Sequence, residues 1–137
     1  MEIFLQLILA LILGGLLGLE REYKKKEAGL RTYALVALGS TIFTLIGFNF
    51  FDKGDALRTV QAVALGIGFI GAGLIIYRQG HVEGLTTAAG LWVAAAIGVA
   101  VAVKFYLPAV FVTFLAVSVL AGLRLIEEKF LESKPED

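Results

Sequence analysis

The sequence predicts an all-α membrane protein with five transmembrane helices, N-terminus outside and C-terminus inside. Three observations carry that reading. The 137-residue chain is 58% hydrophobic and only 18% charged. Its charges are segregated, leaving charge-free stretches at Ile3–Leu19, Thr32–Phe51, Thr59–Tyr77, Gly84–Val103 and Phe105–Leu123. A helix that crosses a bilayer needs about 20 mostly apolar residues, and a soluble globule has no core that hides five such stretches. The basic residues also sort by side. With loop 20–31 in the cytoplasm, nine of the twelve Lys and Arg fall inside, and only Lys53, Arg58 and Lys104 fall outside, in keeping with the positive-inside rule. A soluble enzyme, a nucleic-acid binder and a disordered chain are thereby excluded, and the lipid bilayer is the first partner.

The elements follow in order. The expected spans are about 3–19, 32–51, 57–77, 84–103 and 107–125, in one helical domain over 1–132, with 133–137 a disordered tail. Only Met1-Glu2 precede the first stretch, so it lacks a basic leader and reads as a span, not a cleaved signal. Helix 1 is expected to run on into the cytoplasm, with Glu20–Lys24 and Glu22–Lys26 pairing at i,i+4. Gly29 breaks it, and Thr32 is the expected N-cap of helix 2. Asp52-Lys53-Gly54-Asp55 reads as a tight turn, with Asp55 capping helix 3. Residues 78–84 form the second cytoplasmic loop, with His81 solvated. Pro108 suits the first turn of helix 5, where its missing N–H costs nothing. Leu123, Ile126 and Phe130 continue an apolar stripe, so helix 5 is expected to end in an amphipathic tail.

Between spans there is no hydrophobic drive, so close backbone approach at small residues supplies the packing. Helix 1 carries Gly14 and Gly18 four apart, and helix 4 a stripe of Gly84, Ala88, Ala95, Gly98 and Ala102. Helix 3 carries Gly66, Gly68, Gly71 and Gly73 among alanines pointing in nearly all directions, so it is expected to be central. Gly66–Gly71 also spells G-x-G-x-x-G, but inside a span that pattern is packing, not a dinucleotide fingerprint. Trp92, mid-helix, is expected to pack.

A shift of 55 residues lays Gly18-Leu19 and Gly29-Leu30-Arg31-Thr32 on Gly73-Leu74 and Gly84-Leu85-Thr86-Thr87. This suggests a parallel two-helix repeat, helices 1–2 and 3–4, about an axis along the membrane normal. The alternative is two glycine-broken helix starts.

Candidate site residues gather at the cytoplasmic mouth: Glu20, Arg21, Glu22, Arg31, Thr32, Arg78, Thr86 and Thr87. Glu20 follows an apolar span and sits at the negative pole of helix 1, so it needs a cation. Arg31 is the expected partner, with Arg21, Lys24 or a metal as alternatives. Mg²⁺ suits one or two carboxylates with retained waters, which makes Glu20 the candidate metal ligand, although no protein cage is visible. Arg31-Thr32 and Thr86-Thr87 open helices 2 and 4, whose free N–H groups favour an anion or a carboxylate. Plain capping is the alternative. No nucleophile–base set is present, so an enzyme is disfavoured. Absence of Cys removes thiolate chemistry.

Gly14–Glu22 (GGLLGLERE), Ala28–Thr32 (AGLRT), Gly66–Gly73 (GIGFIGAG) and Gly84–Ala89 with Leu91-Trp92 resemble, in order, the signature blocks of the MgtC/SapB family of prokaryotic inner-membrane proteins. The resemblance covers about residues 3–105. It implies a plasma-membrane protein of magnesium homeostasis, acting as a transporter component or modulator. In pathogens it is linked to survival at low Mg²⁺ and to restraint of the F-type ATP synthase. The alternative reading is therefore a regulator that acts by binding another membrane complex. Many members add a soluble C-terminal ACT-like domain, which is not expected within these 137 residues. Five short helices leave little room for a private pathway, so a homo-oligomer is expected, a dimer first.

Overall fold

Five apolar helices and one short hairpin follow one another in the computed structural model, which describes residues 1–78 and 81–123. The helices are α1 (Glu2–Tyr23), α2 (Leu30–Phe50), α3 (Lys53–Leu74), α4 (Leu85–Ala102) and α5 (Tyr106–Ser118), the last continued by a π-helical turn, Val119–Leu123. All five runs are long and apolar enough to cross a membrane. The architecture is thus helical, as the charge-free stretches predict, with one addition. Between α3 and α4, β1 (Ile76–Arg78) pairs antiparallel with β2 (His81–Glu83), Tyr77 opposite Val82. Helix α3 accordingly stops at Leu74, before the expected Tyr77, and His81 is exposed beside Glu83 at 3.3 Å.

The centre of the bundle is α4, which touches all four other helices. Its apolar window is 56% buried, against 11% for that of α3. The sequence of α4 explains this. Alanines and glycines alternate with Leu91, Ile97 and Val101, so neighbours approach closely and the larger side chains fill the space between. Leu13 and Leu17 of α1 and Tyr33 of α2 complete the core.

The expectation that helix 3 is central is therefore corrected. Helix α3 lays one face, with Ala56, Ile67 and Gly71, against the bundle. Its small residues point all round the axis, so most of them miss that face. A Cβ at Gly66, Gly68 or Gly73 would meet open space, and one at Gly71 only ordinary contact with Ala88 at 3.4 Å. Trp92 likewise faces outward instead of packing, 56% exposed. Glycine decides packing of α1 against α2, of α2 against α4 and, at Gly47 against the Thr59 side chain, of α2 against α3. A Cβ at Gly14 would stand 2.7 Å from the Tyr33 carbonyl oxygen, and one at Gly18 would stand 2.7 Å from Leu30 Cα. At Gly98 it would collide with the carbonyl of Ala37.

Buried polar groups lock the same contacts. The Thr41 hydroxyl lies 2.9 Å from the carbonyls of both Ala37 and Gly98, tying α2 to α4. Gln6 of α1 donates to the carbonyls of Val101 (2.9 Å) and Ala102 (3.0 Å) at the far end of α4. Nearby, Lys104 pairs with Glu2 at 2.8 Å.

The helix ends differ in detail from expectation. Gly29 is the N-cap of α2, placing Thr32 inside the first turn, and Asp52, not Asp55, precedes α3. Asp55 instead pairs with Arg58 at 2.9 Å. Gly84 is the N-cap of α4 in the left-handed region at φ +80°, where a side chain would be strained and would strike the Leu74 carbonyl. Gly29 and Gly84, the two glycines matched by the 55-residue shift, both stand at N-caps, but Gly29 is extended at φ −115°. Pro108 falls in the first turn of α5 as expected. The expected amphipathic end of helix 5 and the 133–137 tail lie outside the described residues.

Candidate functional site

The last turn of α1, the loop after it and the first turn of α4 meet at one end of the bundle. The polar sequence Glu20-Arg21-Glu22 ends an apolar helix, and Arg21 falls on the inward face shared with Gly14, Leu17 and Gly18. Arg21 is only 4% exposed. Its Nη2 donates to the Thr87 hydroxyl at 2.9 Å, and its Nη1 lies 3.4 Å from Glu20 Oε2. The Thr87 hydroxyl donates in turn to Glu27 Oε2 at 2.7 Å, and the Tyr33 hydroxyl donates to the Thr87 carbonyl at 3.1 Å. Two buried atoms keep no hydrogen-bond partner among the described residues, Glu20 Oε1 and Arg21 Nε.

Electrostatics favour this arrangement. The hydrogen bond from Thr87 holds the Glu27 carboxyl below the usual carboxylate range, helped by its own backbone and by the charges of Lys26 and Arg21. Glu27 also lies by the N-terminal turn of α4, where a negative charge is stabilised by the helix dipole. Beside the network is a cavity of about 390 Å³, bounded by Arg21, Lys26, Glu27, Glu83, Thr86 and Thr87. It brings two cations and two carboxylates to one helix start.

The structure groups some candidate residues and separates others. Glu20, Arg21 and Thr87 come together, and Thr86 lines the cavity beside them. Glu22 serves α2 instead, accepting a 3.1 Å hydrogen bond from the Leu30 amide. The expected Glu20–Arg31 pair does not form. Glu20 takes Arg21, and Arg31 is exposed on an outer groove between α1 and α2. The i,i+4 pairs with Lys24 and Lys26 are not formed either, because α1 ends at Tyr23 and Lys25 turns the chain at φ +52°. Thr32 faces a different groove, between α2 and α3. Arg78 ends β1, and its side chain lies outside the described residues. No three His, Asp or Glu side chains converge among the described residues, so Glu20 has a cation, Arg21, as its neighbour and not a carboxylate cage.

Sequence reasoning passed over Glu27 and Tyr33. Glu27 ends the lysine run just before Gly29 turns the chain, a position that reads as solvated loop until α4 is brought to it. Gln6 was passed over as well, though a lone amide in an otherwise apolar span is a signal for an interhelical hydrogen bond.

Five helices of membrane-spanning length, pinned at one end by a buried arginine, define a small polytopic helical membrane protein. The chain belongs to the MgtC family, whose sequence profile matches residues 7–129. It is 38% identical to protein SrpB of Synechococcus elongatus over 89% of this chain and 75% of SrpB. It is 42% identical to YhiD of Escherichia coli K12, named as a candidate magnesium transporter, over 77% of this chain and 53% of YhiD. It is 41% identical to protein MgtC of Brucella abortus over 84% of this chain and 48% of that protein. The chain thus spans about half the length of the latter two relatives. No solved structure matches it.

Proposed function

We propose that this protein acts in magnesium homeostasis in a prokaryotic plasma membrane, as a component or modulator of transport, with its basic loop inside. Family membership and the name of its relative YhiD support the magnesium connection. The observation that carries the choice of role is the ion-paired mouth. Glu20 is neutralised by Arg21, and among the described residues no carboxylate cluster offers a dehydrated cation a seat. Modulation therefore fits the geometry better than conduction by one protomer. The lipid-facing surface of α3 supports a second reading, a regulator that docks another membrane complex or a second copy on the side where Gly66 and Gly73 lie seven residues apart with open space over each. The test has two parts: growth of a deletion strain in limiting Mg²⁺, with and without this chain, and Mg²⁺ flux into vesicles holding the purified protein. Growth rescue with silent vesicles is the outcome expected for a modulator. Flux would make it a transporter component. The absence of both rescue and flux would reject the magnesium role.

A further inference from the structure

Arg31 stands on the outer face of α2, and among the described residues it pairs with no carboxylate. It marks the N-terminal end of an apolar groove of about 630 Å³ between α1 and α2, walled by Leu11, Leu16 and Leu19 on one side and by Ala34 and Leu35 on the other. From Leu11 to Leu19 the groove follows α1 for about 12 Å at the helical rise. That is close to one leaflet's share, about half, of a hydrocarbon core of ~30 Å. Lys24, Lys25 and Lys26 lie exposed in the loop at the same end and form no ion pair among the described residues. The acids nearest in sequence are committed elsewhere: Glu20 to Arg21, Glu22 to the Leu30 amide, Glu27 to Thr87.

We propose that this groove binds an anionic phospholipid of the leaflet that adjoins the basic loop. One acyl chain lies along the leucines, and the phosphate sits on the Arg31 guanidinium. Any lipid fills an apolar groove, so selectivity comes from charge. A basic residue at the mouth of an interhelical groove recruits an anionic headgroup, and the forked donors of arginine match two phosphate oxygens at once. The three lysines add attraction without a fixed geometry.

The test is native mass spectrometry of the full chain, purified in neutral detergent and supplied with phosphatidylglycerol or with phosphatidylcholine of the same acyl chains. Phosphatidylglycerol should be retained at least about fivefold over phosphatidylcholine, and Arg31→Gln should remove most of that preference. Replacing Lys24, Lys25 and Lys26 by Gln should weaken it less. Ala34→Phe, which fills the groove, should lower retention of both lipids. Arg31 and the lysines are exposed, so these variants should keep the wild-type circular dichroism even if Ala34→Phe does not. Equal retention of the two lipids, or an Arg31→Gln protein as selective as wild type, would overturn the proposal. So would a disulfide between two copies at Leu16→Cys, which would give the groove to a second protomer.

Discussion

The Arg21 guanidinium donates a 2.9 Å hydrogen bond to the hydroxyl of Thr87, and both side chains are buried. This bond joins the end of α1 to the start of α4 across 66 residues of sequence. It makes Thr87 a relay, since the same hydroxyl donates onward to Glu27. A buried cation is tolerable only while its carboxylate and its polar neighbours stay in place.

Removing Arg21 should therefore cost more than removing the pair. Arg21→Met leaves the Glu20 carboxylate, 11% exposed, without a counter-charge, and should destabilise the bundle by about 3 kcal/mol. The double variant Glu20→Gln, Arg21→Met should recover part of that loss. Thr87→Val should cost about 1–3 kcal/mol and Thr87→Ser much less, because only the first deletes the relay hydroxyl. Thermal unfolding in detergent measures all four, and an Arg21→Met protein as stable as wild type would refute the network's importance.

Glycines of equal abundance should differ in consequence. Gly14→Ala and Gly18→Ala place a Cβ within 2.7 Å of α2 backbone atoms and should destabilise by about 1–3 kcal/mol through overpacking. Gly66→Ala, Gly68→Ala and Gly73→Ala meet open space and should be neutral, or stabilising by up to about 1 kcal/mol from helix propensity. Resistance to proteolysis on heating separates the two groups. Disassembly of an oligomer by Gly68→Ala alone would show that the outer face of α3 is covered by another copy.

Acid should loosen one joint selectively. Glu27 is held below its ordinary value of 4.5, first by the Thr87 hydrogen bond. A depressed acid contributes stability that is complete above its unfolded pKa and is lost as pH falls through its folded pKa. The 24–29 loop should stay anchored on α4 at neutral pH and loosen below about 4.5. Hydrogen exchange of that loop, corrected for intrinsic rate, should show the step. In Glu27→Gln the step should vanish, and a wild-type-like step there would assign it to another group.

Labelling checks the orientation expected from the distribution of charge. A cysteine at Lys25 should react only from the cytoplasm, and one at Gly54 only from outside. Reaction of both from one side would contradict an odd number of crossings between them.

The number of helices was legible because five uncharged stretches of bilayer length have no other use. Which helix lies at the centre was not. Small residues report that a neighbour is able to approach, not from which side. The stripe on α4 fixes a face, whereas the scattered glycines of α3 fix none. The site was half legible. Thr87 and Glu20 stood out as a helix start and a carboxylate at the wrong helix pole. Arg31 misled because nearness in sequence hides rotation. It precedes the buried Tyr33 by two positions, about 200° round the helix, and so turns outward while Arg21 turns in. Glu27 acquires meaning only once a helix beginning at Leu85 is folded back against it.

Gln6 and Arg21 grip α4 at opposite ends, near Val101 and at Thr87. Their separations along the two antiparallel helices match to within a residue, so the pair works like a caliper with one allowed setting. Sliding α1 by a single turn, about 5.4 Å, would release both jaws together and leave the Gln6 amide without the Val101 and Ala102 carbonyls. The α1–α4 pair is therefore the fixed part of the bundle, tied at both ends. Helices α3 and α5, whose apolar windows are only 11% and 17% buried, are the ones held most lightly against it.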